Sequence, residues 1–398
     1  PRSTQAKTLF PYTTALPIYI RQMGKKDESL PAAPTLPPTF DEQNPCVIIY
    51  TSGTTGSPKG AVLSHRNLIT NADQMSIMGC KAEHHVLCVL PMYHCFGWTC
   101  SVLYPLYCGA EVVILDSFTP KETISVIREE KINDLYIVPS ICSLLTKLAS
   151  KKDMASLRLV VSGGTTLPLK IEQDFMNKFG VDICEGYGLT EASPVVTCNP
   201  VTSHEFTGAI GVPVSGTRVK LTDENGQEIL TAGTRGEIAV KGPQVMAGYW
   251  QRPDETAQAM TADGYLKTGD IGSMDERGYF SLLDRKKDLI IVSGFNVYPA
   301  EVEDVVSSMP QVLECVAIGV PDADSGEIVK VFVVRKPGMV VTEEHIHAHC
   351  RNRLTSYKRP HVIEFRETLP QSTMGKFLRR VLREQETGCP DASVTRHT

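Results

Sequence analysis

The stretch Tyr50-Thr-Ser-Gly-Thr-Thr-Gly-Ser-Pro-Lys-Gly60 decides how the rest of the chain is read. It follows an apolar run, Val47-Ile48-Ile49-Tyr50, which has the composition of a buried strand, and it leads toward a helix opening near Ser64. Gly53, Gly56 and Gly60 let the backbone turn its N–H groups toward an anion, while Thr51, Ser52, Thr54 and Thr55 add hydroxyl donors and Lys59 a positive charge. That combination suits a polyphosphate. It is not a Walker A loop, which requires Gly before the Lys and Ser or Thr after it, because Pro58 precedes Lys59 and Gly60 follows. A Ser/Gly surface linker would share this composition but not the position between a strand and a helix.

At 398 residues the chain exceeds one ordinary core, and 42% hydrophobic residues are enough to fill two or more domains. The formal charge of −5 and pI near 6.1 supply no electrostatic footprint for nucleic acid. Twelve cysteines are scattered without a CxxC pair, several inside apolar runs (Cys88, Cys100, Cys142), and read as reduced core residues of a cytoplasmic protein, neither a disulfide frame nor a zinc site. Val86 to Ala110 contains no Asp, Glu, Lys or Arg, which raises a membrane span. Pro91, Gly97, Pro105 and His94 within it favour a buried segment able to line an apolar pocket.

Residues 1–44 lack periodicity, and Pro31 to Pro38 reads as an extended linker. From Pro45 strands and helices alternate, with strands at Val86–Leu90, Val112–Leu115, Leu135–Val138 and Leu157–Ser162 and helices after Ser64 and over Thr119–Lys131. This predicts an α/β large domain, residues 45–286, with a parallel sheet covered by helices. Gly-punctuated short strands between Gly208 and Gly242 predict a small β-barrel-like subdomain inside it. After the charged run Asp284-Arg-Lys-Lys-Asp288, helices at Ala300–Met309 and Thr342–Leu354 and strands at Val312–Ile318, Val329–Val334 and Val362–Phe365 predict a smaller α+β C-terminal domain, residues 287–398.

Three further motifs bear on chemistry. Glu185-Gly186-Tyr187-Gly188-Leu-Thr190-Glu191 offers a flexible approach to a flat ring, an aromatic face, a hydroxyl donor and a hard oxygen ligand for Mg²⁺. Ser162-Gly163-Gly164-Thr165 after a strand could wall the same pocket, although a plain strand-end turn has this composition too. Thr268-Gly269-Asp270 places a carboxylate that can accept both hydroxyls of a ribose, with Arg285 as a further donor. Taken singly, each has an ordinary structural explanation; Lys376, for instance, could be one more basic residue beside Arg379, Arg380 and Arg383.

In order, the phosphate loop, YGLTE, TGD, DRKKD and Gln371-Ser-Thr-Met-Gly375-Lys376 resemble the adenylate-forming superfamily of acyl-CoA synthetases, luciferases and adenylation domains. The run from Asp263 to Val306, DGYLKTGDIGSMDERGYFSLLDRKKDLIIVSGFNVYPAEVEDVV, is especially similar to long-chain fatty acyl-CoA synthetases. The resemblance implies ATP, Mg²⁺ and CoA as cofactor and co-substrates and a fatty acid as substrate, with activation to an acyl-adenylate followed by thioester formation. It assigns Thr51, Ser52, Gly53, Thr54, Thr55, Gly56 and Lys59 to the phosphates, and Gly163, Gly164 and the 185–188 segment to the nucleotide pocket, Tyr187 taking the adenine. Thr190 and Glu191 go to phosphate and metal, Asp270 and Arg285 to the ribose, and Lys376 to catalysis; Lys287 becomes the hinge and Gly294 the border of a pantetheine tunnel. His94 and Trp98 are weaker candidates for the acyl pocket, since a lone His in an apolar segment is commonly a satisfied core residue.

Only 49 residues precede Tyr50, where the family carries a substantial N-terminal portion, so the chain is expected to be truncated and poorly active alone. Transfer of the acyl-adenylate to a carrier protein is one rival reading, though only 22 residues follow Lys376. A non-catalytic adenylate- or lipid-binding module is another, and retention of Lys376 and Glu191 argues against it. Peripheral membrane contact is compatible with a fatty substrate; oligomeric state is not readable.

Overall fold

The structure, a computed structural model, describes residues 40–51, 58–201, 208–372 and 375–387. Its centre is a seven-stranded sheet in the spatial order Glu111–Ile114, His85–Cys88, Asp134–Ile137, Leu159–Ser162, Ile183–Gly188, Val195–Cys198 and Val212–Pro213. The first five strands are parallel and the last two pairings antiparallel. Asp134–Ile137 and Leu159–Ser162 are buried at every position, as expected of parallel strands covered on both faces. Helices Pro120–Glu129, Pro139–Leu148 and Leu169–Phe179 alternate with these strands, and the last two pack against each other.

The charge-free run folds as strand His85–Cys88 followed by one continuous helical segment, Cys95–Tyr107, whose middle, Thr99–Leu103, is wound as a π-helix. Among the described residues no helix is long and apolar enough to cross a membrane. Cys88, Cys100 and Cys142 are all buried.

The stretch around Tyr50 differs in two respects from its sequence reading. Pro45–Thr51 is a strand, but Lys59–Ser64 is a second strand antiparallel to it, with Thr51 opposite Lys59 and Tyr50 opposite Gly60. The motif therefore begins in one strand and ends in its antiparallel partner, and the helix His65–Gln74 begins only after that second strand. Its opening at Ser64 is a capping box: Ser64 Oγ accepts from Asn67 N at 3.1 Å, and Asn67 Oδ1 accepts from Ser64 N at 2.9 Å. Tyr50 itself is 65% exposed, not buried.

A five-stranded antiparallel sheet, ordered Glu228–Ile229, Arg218–Thr222, Gly236–Lys241, Leu266–Met274 and Phe280–Arg285, forms the barrel-like unit. A bridge between Gly211 and Phe280 links it to the end of the central sheet. It continues well past Gly242, because the TGD segment and the strand before the charged run are two of its members. The C-terminal unit is built on Val312–Asp322 and Gly326–Arg335, with the hairpin Ile290–Val292/Phe295–Val297 at one end and Val362–Arg366 parallel beside Lys330–Val334.

Helix His65–Gln74 is anchored by polar groups its sequence pattern does not advertise. Asn71, fully buried, accepts from Val195 N at 3.0 Å and donates to Val195 O at 2.9 Å, while Asn67 donates to Pro243 O and Val245 O. Gln74 donates to Ser215 O. The helix thus ties the central sheet to the barrel-like unit. Asn71→Ala is expected to lower stability by about 2–4 kcal/mol, because burying an orphaned backbone group costs about 1–3 kcal/mol. Urea unfolding reads this directly; a midpoint unchanged from wild type would contradict it.

Candidate active site

The parallel strands deliver their carboxyl ends to one rim, where ligands of open α/β sheets bind. Gly163 and Gly164 follow Leu159–Ser162 there, and Gly163 N donates to Ile137 O at 3.2 Å. An added Cβ on Gly163 would sit 3.3 Å from the Phe96 ring and 3.4 Å from Gly186 O, so the glycine lets two segments close up. Glu185, Gly186 and Gly188 lie on the neighbouring strand. At Gly188 a Cβ would lie 2.1 Å from Pro194 O, a contact no side chain could make. Glu185 is buried and accepts from Leu167 N at 2.9 Å; burial pushes its carboxyl up to about 7.

Thr190 and Glu191 open a short 3₁₀ turn beyond that strand. Glu191 Oε1 accepts from Tyr249 Oη at 2.8 Å, and the Tyr249 ring lies beneath Lys59, whose Nζ is 5.2 Å from its centroid. Tyr249 sits here because Gly248–Tyr249 pairs with Val62 and Ala61 of the hairpin's second strand. The base of the phosphate-loop motif and the YGLTE corner therefore face one another across a single tyrosine, which sequence reading missed and for which no local motif existed. Thr51 ends the hairpin's first strand. Ser52, Gly53, Thr54, Thr55 and Gly56 lie outside the described residues.

The opposite wall is built from the barrel-like unit. Tyr187 Oη donates to Asp270 Oδ2 at 2.7 Å, and Asp270, 2% exposed, holds Arg285 Nε 3.1 Å from its other oxygen. That second contact is an ion pair without directed hydrogen-bond geometry, so Oδ1 has no hydrogen-bond donor among the described residues. It retains lone pairs for a hydroxyl ligand. The Tyr187 ring is largely buried among Ala192, Val196, Ile210 and Phe280. Burial raises its phenol well above the ordinary range, keeping it a proton donor to Asp270.

Lys376 reaches this wall from the C-terminal unit. Its loop closes through Ser372 N→Lys376 O at 2.8 Å and Lys376 N→Ser372 Oγ at 3.2 Å. Gly375, at φ +73°, abuts Ser140 of the large unit, 3.3 Å from where a Cβ would project. The ammonium is half-buried, and loss of water, with Arg285 next in weight and Lys287 also acting, brings its pKa down to about 7 against the opposing pull of Asp270 and Asp288. Lys287 lies in the 3₁₀ turn Lys286–Asp288, and its pKa is lowered chiefly by desolvation although its side chain reaches solvent. Gly294 belongs to the turn of the hairpin at Ile290–Val297, whose neighbour Ser293 donates to Ser325 O at 2.7 Å.

His94 caps the helical segment at Cys95: its Nδ1 accepts from Phe96 N at 3.2 Å, and burial lowers its pKa, favouring neutral imidazole. Cys95 Sγ lies 3.3 Å from Thr190 Oγ1, joining this helix start to the YGLTE corner. Trp98 packs between the hairpin cluster and the strands Cys88 and Val112, and its buried Nε1 has no hydrogen-bond partner among the described residues.

A family profile described as AMP-binding enzyme matches residues 6–250, and its C-terminal domain counterpart matches residues 301–376. The chain belongs to the AMP-binding enzyme family. A long-chain-fatty-acid–CoA ligase of Yersinia pestis is 42% identical over 355 residues, covering 86% of this chain and 62% of the relative, so the chain spans somewhat under two thirds of that protein's length. A feruloyl-CoA synthase of Amycolatopsis is 35% identical, covering 91% of this chain and 74% of the relative. Among solved structures, ATP-bound MatB from Rhodopseudomonas palustris superposes with a TM-score of 0.83 at 35% identity, covering 87% of this chain and 69% of that one. Members of the AMP-binding family share the large α/β domain and smaller C-terminal domain described above.

The shifted lysine makes a prediction about stability. With a native pKa near 7 against an ordinary 10.5, the unfolded chain binds the proton that native Lys376 has released, so stability rises with pH between those values. Relative to Lys376→Met, the wild-type chain should gain on the order of a few kcal/mol between pH ~7 and ~10, the full shift being an upper bound for a partly exposed group. Urea midpoints for both proteins across that range test this, and a constant difference would refute it.

Proposed function

We propose that this chain carries the nucleotide-binding and catalytic parts of an AMP-forming acid–thiol ligase, which joins a carboxylic acid to ATP as an acyl-adenylate and then to CoA. A long-chain fatty acid is the substrate we favour. The observation that supports the reading is that Lys376, carried by the C-terminal unit, lies near enough to the Asp270–Arg285 pair to feel both charges, while Glu191, Tyr249 and Lys59 contact one another. The five motifs follow one another in the order the family carries them, which supports the same reading.

Attack of a carboxylate on the α-phosphorus brings two anions together. At about 4 Å and an effective dielectric near 20 their repulsion is roughly 4 kcal/mol. Lys376 is placed to offset it: a phosphate beside its ammonium supplies the counter-charge that the free site lacks, restoring the proton on binding. Lys59 and Thr51 take the outer phosphates, together with the loop residues between them. Asp270, held by Tyr187 and Arg285, accepts the ribose hydroxyls, and Tyr187 adds its ring edge to the adenine pocket along with Gly163, Gly164 and Glu185. Thr190 donates to phosphate.

The donor set fits Mg²⁺, which prefers one or two carboxylates and keeps phosphate and water as its other ligands. Glu191 is a single hard carboxylate oriented by Tyr249, and it would hold the ion, which when bound neutralises phosphate charge. For the second half-reaction we propose a turn about Lys287, the boundary between a large domain ending at Lys286 and the small domain, that exchanges Lys376 for the Gly294 loop. The apolar segment with His94 and Trp98 is assigned to the acyl group.

Lys376→Ala should slow ATP–pyrophosphate exchange about 10²–10³-fold, the magnitude typical of removing one charge-stabilising donor, while changing ATP affinity less than about threefold. An undiminished exchange rate rules out the role. Substrate class is read separately by AMP release with CoA across fatty acids of increasing length beside ferulic acid. Long chains should give the highest kcat/KM; a preference for the aromatic acid would move the assignment toward the feruloyl-CoA synthase relative.

A further inference from the structure

At the amino ends of the same parallel strands, the end opposite the nucleotide rim, a second cluster of chemically active side chains has no part in the reaction described above. Cys80, His84 and Asp134 each offer a ligand atom, and these atoms lie within 4.8 Å of one another. His84 precedes the strand His85–Cys88, and Asp134 is the first residue of the adjacent strand. Cys108, just after the helical turn Tyr104–Tyr107, is near enough to act electrostatically on the Cys80 thiol. Cys80 is further held by its N–H donating to Tyr104 Oη at 3.0 Å.

We propose that Cys80, His84, Asp134 and Cys108 form a structural site for a zinc-class divalent cation. Four ligands arranged tetrahedrally at about 2.0–2.3 Å from a metal stand roughly 3.3–3.8 Å apart. The His84 Nδ1 to Asp134 Oδ2 separation, 3.5 Å, already matches such an edge, and the 4.8 Å envelope holds Cys80, His84 and Asp134, so closing the site needs Cys108 to turn in beside them and His84 Nδ1 to release the Lys81 N–H that donates to it at 3.3 Å. Thiolate, imidazole and carboxylate together select a borderline-soft ion over Mg²⁺ or Ca²⁺.

The surroundings supply the outer shell such a site requires. Asp134 is fully buried and receives Arg158 in a bidentate pair, Nε to Oδ1 at 3.0 Å and Nη2 to Oδ2 at 2.9 Å. Each carboxylate oxygen retains a further lone pair for a metal. Arg158 also donates to Met78 O at 3.0 Å, so it fixes the start of the loop that carries Cys80 and His84. Two thiolates, one carboxylate, one guanidinium and a dication sum to zero charge, which removes the usual penalty for ions in a sheltered place. With four protein ligands the site has no open position, consistent with a staple between the 79–84 loop and the central sheet and not with catalysis.

The test uses the whole chain, with thiols reduced and metal removed, titrated with Co²⁺. Cobalt bound to cysteine gives an intense near-ultraviolet thiolate-to-metal absorption that cobalt on surface histidines or on Glu191 cannot give. Expected is saturation at about one equivalent, displacement by Zn²⁺, a weakened band in Cys80→Ser and loss of the band in Cys80→Ser/Cys108→Ser, and affinity weakened in His84→Ala by more than the about 10–100-fold typical of an outer-shell partner. Cys142→Ser, at a buried cysteine elsewhere, should leave the band intact, and unaltered ATP affinity in Cys80→Ser verifies that it folds. No thiolate band in the reduced wild-type chain, or a band that persists in Cys80→Ser/Cys108→Ser, overturns the proposal. The outcome is independent of the ligase assignment, because metal uptake is read without turnover.

Discussion

A carboxylate removed from water must be paid for by partners, and Asp270 is the one on which the junction of the central sheet and the barrel-like unit depends. It is 2% exposed, yet it meets a phenol from the central sheet and a guanidinium from the neighbouring strand of the barrel-like unit. Replacing either partner would leave a buried anion undercompensated, which is far costlier than the pair is stabilising. Through this residue the two sheets are held in one relative position. Lys376 then arrives beside this pair largely stripped of water, and that desolvation, with Arg285 next in weight and only partly opposed by Asp270, lowers its pKa.

The same arrangement explains why the helix after the hairpin carries so much buried polarity. Asn67, Asn71 and Gln74 replace hydrogen bonds that a sheet edge and two loops would otherwise make to water. Geometric demands of this kind are specific where apolar contact is not, since amide groups must meet both a donor and an acceptor at fixed spacing. The orientation of the barrel-like unit against the central sheet is thereby set by side chains, with hydrophobic packing filling the space between.

Much of the fold was legible because its signals are local. Apolar runs such as Leu135–Val138 and Leu157–Ser162 locate parallel strands within a residue or two, and Ser64 announces its helix through a capping box. The second strand of the hairpin escaped notice because Lys59 and Gly60 belong to the motif before it, which masks the apolar Ala61–Leu63 that follows. The site divides in the same way. Asp270, Arg285, Glu191 and Lys376 stand in recognisable sequence patterns, whereas Tyr249 acquires its place only through strand pairing with Ala61, nearly two hundred residues earlier in the chain. Cys80, His84 and Asp134 were equally invisible, since a parallel sheet brings together residues whose spacing along the chain matches no metal-binding pattern.

The short turn Lys286–Asp288 has attachments on both sides. Lys286 is paired with Glu237 of the barrel-like sheet at 2.8 Å. Asp288, two residues on, is gripped by Arg383 at 3.0 Å and approached by Arg379, which itself holds Glu303 at 2.7 Å. Lys287 is accordingly the single residue between an attachment to the barrel-like sheet and an attachment to the final helix. Two residues of one short turn thus anchor it to separate sheets and helices, one through a lysine and the other through a pair of arginines.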